Sequence, residues 1–322
     1  MVSEKAQVSH DVFPYLRVYK DGTIERFAGT EVVPAGLDPE TGVFSKDTVI
    51  VPETRVSARL YRPSLAKASQ KLPLVIYFHG GGFFISSTAD PLYHRSLNKL
   101  VAEANIVLVS VDYRLAPENS LPAAYEDSWA ALNWVAAHAG EGDGKEAWLK
   151  DYADFGRVFL GGDSCGANMT HHLTLKLKGS ELSRELKIEG VAMIHPYFWG
   201  QDPVGVEKID HVRRSMVDNW WTFICPSHKG CDDPLINPFA DGSPSLEGLA
   251  CNRVLVIVAD KDILRDRGKL YYEKLLSSGW KGTAKLVEIR GEDHVFHIFD
   301  PNTENAKSMF RDLASFFGKA RH

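Results

Sequence analysis

The apolar positions follow two regimes along the chain. From Leu16 to Tyr61 they alternate with polar ones: LRVYKDGTIERF turns at Asp21-Gly22, and Ser45 to Val51 and Val56 to Tyr61 alternate on either side of Pro52 and Glu53. Alternation is the period of a half-buried strand, so the first segment reads as a hairpin and the other two as antiparallel strands at the edge of a larger sheet. A Pro- and Gly-rich connection joins them through Gly42. From Pro73 the strands become short, nearly continuous apolar runs: PLVIYF, IVLVSVDY, RVFLGG, VAMIHPY, RVLVIVA and finally KLVEIRG. Such runs, separated for the most part by helical segments, mark strands buried on both faces of a parallel sheet. Two of the helices are legible from their 3.6-residue stripe, Trp129, Leu132 and Val135 within Tyr125 to His138, and Met309, Leu313 and Phe316 within Asn305 to Phe317. The expectation is one α/β domain over residues 1–322, a mostly parallel central sheet flanked by helices.

One stretch breaks this alternation. Between Tyr197 and Arg253 the chain holds DNWWTFICP and DDPLINPFADGSP, a longer interval than usually joins two elements. It reads as a lid, and Trp220, Trp221 and Phe223 either wall an apolar substrate pocket or pack on the domain below.

Candidate chemistry sits at the strand ends. VFLGGDSCGAN places Ser164 between Gly162 and Gly166, in a G-x-S-x-G segment that leaves a buried strand and opens a helix. The glycine flanks permit a tight turn from which the hydroxyl projects as a nucleophile. After PLVIYF comes HGGGF, His79 to Phe83, whose bare backbone can approach a carbonyl; Gly81 and Gly82, with the amide of Cys165, are the candidate oxyanion donors. RVLVIVA leads into DKDILRD, which offers Asp260, Asp262 and Asp266, and KLVEIRG leads into EDHVFHIFD, which offers His294 and His297. Asp262 and His294 are the candidate acid and base, in the order Ser, Asp, His. Phe83 joins the lid aromatics as a candidate pocket residue, and the Cys165 thiol is expected to narrow the acyl site slightly. Neither an H-e-x-x-H ligand pair nor a phosphate-binding glycine pattern occurs, so no metal and no cofactor are expected.

Composition narrows the partners. The 322 residues carry 42 acidic and 37 basic side chains, a formal charge of -5, which leaves no excess for holding a nucleic acid. The four cysteines lack C-x-x-C spacing, and a chain of this size needs no disulfide staple, which suits a reducing compartment. With no apolar signal core in MVSEKAQVSHDVFPYL and no run long enough to cross a bilayer, a cytoplasmic, membrane-free protein is expected. Its partner would be a small-molecule substrate, and its state a monomer or homodimer. The sequon Asn168-Met169-Thr170 falls in the helix after Ser164, where packing would exclude a glycan.

Together LRVYKDGTIERF, LPLVIYFHGGGF, VSVDYRLAPENSLPAAYED, GGDSCGAN, DKDILRDRG and DHVFH resemble the plant carboxylesterases of the hormone-sensitive-lipase-like, gibberellin-receptor-like group, over nearly the whole chain. The resemblance implies the α/β-hydrolase fold, with the acid in D-x-L-R-D and the base in H-x-F-H, which selects Asp262 and His294 over their neighbours. It also implies a cap built from residues 1 to about 42 and from about 198 to 250. Three functions occur in that group: ester hydrolysis, elimination or cyclisation as in 2-hydroxyisoflavanone dehydratases and alkaloid cyclases, and hormone reception. The receptors lack the catalytic histidine, and the cyclases depart from the acid and histidine segments, whereas Ser164, Asp262 and His294 are all present here. The expectation is therefore a serine carboxylesterase acting on a small hydrophobic or aromatic ester of plant specialised metabolism, with non-hydrolytic use of the same site as the alternative.

Overall fold

A computed structural model of the chain describes residues 7–140, 142–182 and 186–318. Its N-terminal part is a small antiparallel sheet of β1 (Val8–Val12), β2 (Leu16–Tyr19) and β3 (Ile24–Arg26), in which β2 and β3 are the hairpin expected around Asp21-Gly22. A second sheet holds β4 (Leu37–Asp38), β5 (Val43–Val51), β6 (Val56–Pro63), β7 (Leu72–Phe78), β8 (Val107–Asp112), β9 (Ala153–Asp163), β10 (Ile188–Ile194), β11 (Cys251–Ala259) and β12 (Thr283–Ile289). Its order is β12-β11-β10-β9-β7-β8-β6-β5-β4. The strands from β12 to β8 pair in parallel, and β6, β5 and β4 complete one edge antiparallel.

The continuous apolar runs divide between the two faces with the period of a pleat. Leu74, Ile76 and Phe78 join one core, Val75 and Tyr77 the other. The first core is closed by α2 (Ala123–Ala136), α4 (Cys165–Leu177) and α6 (Arg265–Ser277), through residues such as Leu132, Met169 and Tyr271. The second is closed by α1 (Pro91–Ala104) and α8 (Glu304–Gly318), through Leu97, Met309 and Leu313. Helix α1 begins where local chemistry dictates: Asp90 caps it by accepting the Leu92 N–H, Pro91 opens it, and Asn105 ends it in the left-handed conformation. Two short helices, α3 (Ala147–Tyr152) and α7 (Phe296–Phe299), and the longer α5 (His211–Ile224) complete the layout, α5 lying within the interval between β10 and β11.

This topology positions the site. Going from β7 the chain first moves to β8 on one side, then returns to β9 on the other, so β7 and β9 flank the point where the winding reverses. In open α/β sheets the crevice at the carboxyl ends of such strands is where ligands bind. Those ends carry HGGG after β7, Ser164 after β9, Asp262 after β11 and His294 after β12. No helix of the described residues is long and apolar enough to cross a membrane.

Candidate active site

Ser164 occupies a conformation that the sequence around it enforces. Its φ of 53° is unusual for a residue with a side chain, and a Cβ at Gly166 would run into the carbonyl oxygen of Phe78. The turn is held by the Ser164 N–H donating to Ile194 O at 2.9 Å and by the Tyr197 N–H donating to Ser164 O at 3.0 Å. As N-cap of α4, Ser164 makes no side-chain cap; its Oγ instead lies 2.9 Å from His294 Nε2. His294 Nδ1 lies 2.7 Å from Asp262 Oδ2, whose other oxygen accepts the Leu264 N–H at 2.9 Å. The three residues chosen from the sequence thus form one unbroken hydrogen-bonded chain.

The electrostatics of that chain are mutual. Burial alone would push the Asp262 carboxyl up, but the adjacent His294 imidazole, together with His195 and the Leu264 N–H, outweighs it and holds Asp262 below its ordinary value. Burial likewise works against charge on His294, yet the Asp262 carboxylate raises its pKa above the ordinary imidazole value. The pair therefore favours carboxylate beside imidazolium, the charge state a general base passes through.

Gly81 and Gly82 line the same cleft as Ser164, both at positive φ, 102° and 61°. Their loop closes on itself through the Phe84 and Ile85 N–H groups, each 3.0 Å from Gly81 O. Asp163 ties this loop to the nucleophile turn. It is fully buried, accepts the hydroxyls of Tyr77 and Tyr93 at 2.8 and 2.7 Å, and Tyr93 in turn accepts the Gly80 N–H at 2.8 Å. Cys165 is the first residue of α4, so its amide belongs to an uncapped helix N-terminus, where backbone donors favour negative charge. Its thiol does not narrow the acyl site. The side chain turns back beneath the glycine loop, where Sγ takes the Phe83 N–H at 3.3 Å, and burial pushes its pKa up to about 12.

The cleft has a volume of about 410 Å³ and a mainly apolar lining. Tyr15 of the N-terminal segment, Phe84 and Trp220 form one aromatic cluster in it, with centroids 5.4 to 6.3 Å apart, and Leu92, Ile298 and Phe299 add further apolar surface. Of the four pocket residues expected from the sequence, Trp220 alone lines this cleft. Phe83 is fully buried against Tyr125, because the turn at its φ of 69° sends its ring into the core and leaves Phe84 facing the cleft. Trp221 is fully buried, its indole N–H donating to Gly230 O at 2.9 Å. Phe223 packs on His10 of β1, in a separate groove. The helix accounts for this: at 100° per residue Trp221 is turned 100° away from Trp220, whereas Arg213, Met216, Val217 and Trp220 share a face and all four line the cleft; Phe223 lies on the side of Met216 and Trp220 but in the last turn of α5, beyond the cleft and against β1. Arg213 also reaches both triad loops, donating to Lys261 O at 2.8 Å and lying 3.5 Å from Asp293.

Sequence reasoning missed Tyr15, Phe84 and the α5 stripe, although the spacing back from Trp220 would have found the last. It also missed His195, which ends β10 just as the other candidates end their strands. Asn168 of the sequon is fully buried, and its Nδ2 donates to Tyr197 O and Leu235 O at 3.0 and 2.8 Å, so it ties α4 to the β10–β11 interval. Among the described residues, His195, Asp262 and His294 form the one group whose ligand atoms, within 4.8 Å of each other, have metal-binding types. Both Nδ1 atoms in that group are engaged, His294 with Asp262 and His195 with the Val295 N–H, so it is organised as a hydrogen-bond network.

Residues 75–298 match the family model described as α/β-hydrolase fold. The chain is 57% identical to probable carboxylesterase 2 of Arabidopsis thaliana over 319 residues, covering 99% of each chain. It is 45% identical to the 2-hydroxyisoflavanone dehydratase of Glycyrrhiza echinata, covering 96% of each. Among solved structures, a thermostable carboxylesterase cloned from a metagenomic library superposes with a TM-score of 0.70 at 28% identity, covering 90% of each chain. A mostly parallel sheet with its reactive groups at the strand ends, a matching family model and near full-length plant relatives lead to one assignment: the chain belongs to the plant carboxylesterases of the α/β-hydrolase family, carboxylic ester hydrolases of that fold.

Proposed function

We propose that the chain hydrolyses a small hydrophobic or aromatic ester of plant specialised metabolism through an acyl-enzyme at Ser164. The observation that carries this reading is the Ser164–His294–Asp262 chain, at 2.9 and 2.7 Å, opening on an apolar cleft. His294 Nε2 takes the Ser164 proton as Oγ bonds to the ester carbonyl carbon. The oxyanion is met by the N–H groups of Gly81, Gly82 and Cys165, and Asp262 stabilises the imidazolium. The carbon–oxygen bond to the alcohol breaks, and the His294 proton leaves with it. Water then gives a proton to His294 and its oxygen to the acyl carbon; the acid departs and Ser164 recovers its proton. No cofactor enters this cycle.

Hydrolysis of p-nitrophenyl acetate and butyrate, by the unmutated protein and by Ser164→Ala and His294→Ala, tests it. Each substitution is expected to lower kcat by about 10⁴-fold or more. Folded, unmutated protein without turnover would overturn hydrolysis and favour the second reading, elimination or cyclisation on the same residues, which the 45% identity to a dehydratase supports. A cytoplasmic location belongs to the same proposal, supported by four cysteines that are all buried and unpaired. Fluorescence of a full-length fusion confined to an organelle would overturn it.

A further inference from the structure

His195 is spent on something other than packing. It follows β10 directly, its backbone N–H donates to Ile257 O of β11 at 2.8 Å, and its φ is 47°. Its Nδ1 accepts the Val295 N–H at 2.8 Å, and its Nε2 is buried with no hydrogen-bond partner among the described residues. An unpaired buried N–H is unfavourable for folding, and such groups call for an explanation. Val295, the residue after the base, has a φ of 49°, a left-handed conformation that a β-branched side chain rarely adopts. Two residues in disfavoured conformations, one on the β10 end and one on the loop of the base, are thus joined by a single hydrogen bond.

We propose that His195 is a positioning residue for the base: its Nδ1 lone pair holds the Val295 amide, and thereby the strained loop that presents His294 to Ser164. The role requires a neutral ring with its proton on Nε2, because a proton on Nδ1 would face the Val295 N–H. The surroundings keep it so. Burial is the main cause of a pKa lowered to about 3, and His294 adds to it against the opposing pull of Asp262. The groups that face the ring are Asp262 from the loop after β11, His294 from the base loop, and His297 and Phe296 of α7, whose centroids lie 5.8 and 5.7 Å away. His297 is itself held uncharged, chiefly by burial. Among the described residues the His195 side chain makes no hydrogen bond to Ser164, and in the proposed mechanism it takes no proton.

The inference rests on the proposed role of His294, so its test has one arm that needs no turnover. In protein labelled with ¹⁵N-histidine, the His195 ring, assigned by its absence from His195→Asn, is expected as the neutral Nε2–H tautomer throughout about pH 5 to 9. An Nδ1–H or charged ring there overturns the proposal even if the chain hydrolyses nothing. In the kinetic arm, His195→Leu removes the acceptor, while His195→Asn keeps an oxygen where Nδ1 stood. With p-nitrophenyl butyrate the leucine variant is expected to lose roughly 10- to 100-fold in kcat with KM within about threefold, as for a misplaced base, and the asparagine variant to recover most of that loss. A leucine variant with unchanged kcat, or an asparagine variant of equal melting temperature that is as impaired as leucine, would refute the assignment.

Discussion

His294 and Asp262 share a proton economy that sets when the site can work. In the proposed mechanism the imidazole must be neutral to take the Ser164 proton, and its pKa lies above the ordinary value, so kcat/KM should fall as the pH drops through a midpoint higher than about 6.5. Asp262→Asn removes the main opposing charge, so burial, which lowers the pKa, is left against only the weaker pull of Asp163 and Asp293. The acid limb should then move to lower pH while kcat falls by about 10³- to 10⁴-fold. A pH–rate profile of both proteins with p-nitrophenyl butyrate checks this, and an acid limb that stays in place would refute the coupling. Cys165 illustrates the opposite situation. Its amide has a proposed role, but its buried, neutral thiol supports the loop through the Phe83 N–H and has no access to the cleft.

Helix α5 combines the two roles that its aromatics suggested. Its Trp221 face seals the body of the protein, and its Trp220 face lines the cleft, where it meets Tyr15 from the N-terminal segment at 5.4 Å. That segment is pinned in turn by Arg26, which donates to Phe84 O and Ala116 O, both at 2.9 Å, and pairs with Glu118. Trp220→Ala should therefore alter acyl selectivity more than chemistry. We expect kcat/KM for a phenylacetyl or hexanoyl ester to fall about tenfold, with the acetate ester changed less than about threefold, since the lost contact is apolar. An equal loss on all esters in a chain-length series would mean that Trp220 supports the triad loops and not the bound acyl group. Trp221→Ala, by contrast, removes a core side chain and should lower the melting temperature, at a cost of about 3–5 kcal/mol.

The molecule as a whole carries its histidines at a price in acid. His171, His172, His195 and His297 all have pKa values lowered mainly by burial, His172 to about 4 and His195 to about 3. Unfolded, each would take a proton near pH 6.5, so in acid the unfolded chain binds more protons and stability declines as pH falls below that value. The slope is about 1.4 kcal/mol per pH unit for each fully titrating group. His94 is lowered too, again mainly by burial, while His294 and Asp163, whose values are raised, act in the opposite sense, two groups against five histidines. The melting temperature should accordingly drop between about pH 7 and pH 5, before most carboxylates titrate. A flat profile there would mean that these histidines are charged in the native state.

Hydrophobic period determined which segments became strands and helices, and strand ends in the order Ser, Asp, His marked the residues that the fold brings together. Both signals are local, because a strand buried on both faces must be apolar at every position and a reactive group must sit where the strand stops. The alternation before Pro73 likewise placed β5 and β6 at an antiparallel edge. Tertiary structure alone decided which aromatic faces the cleft, since Phe83 and Phe84, or Trp220 and Trp221, are equivalent as sequence and are distinguished by a positive φ or by a helix rotation. It alone decided that Tyr15, from the far end of the chain, closes the cleft, and that His195 meets the amide of Val295, since no local pattern encodes a contact between residues a hundred positions apart.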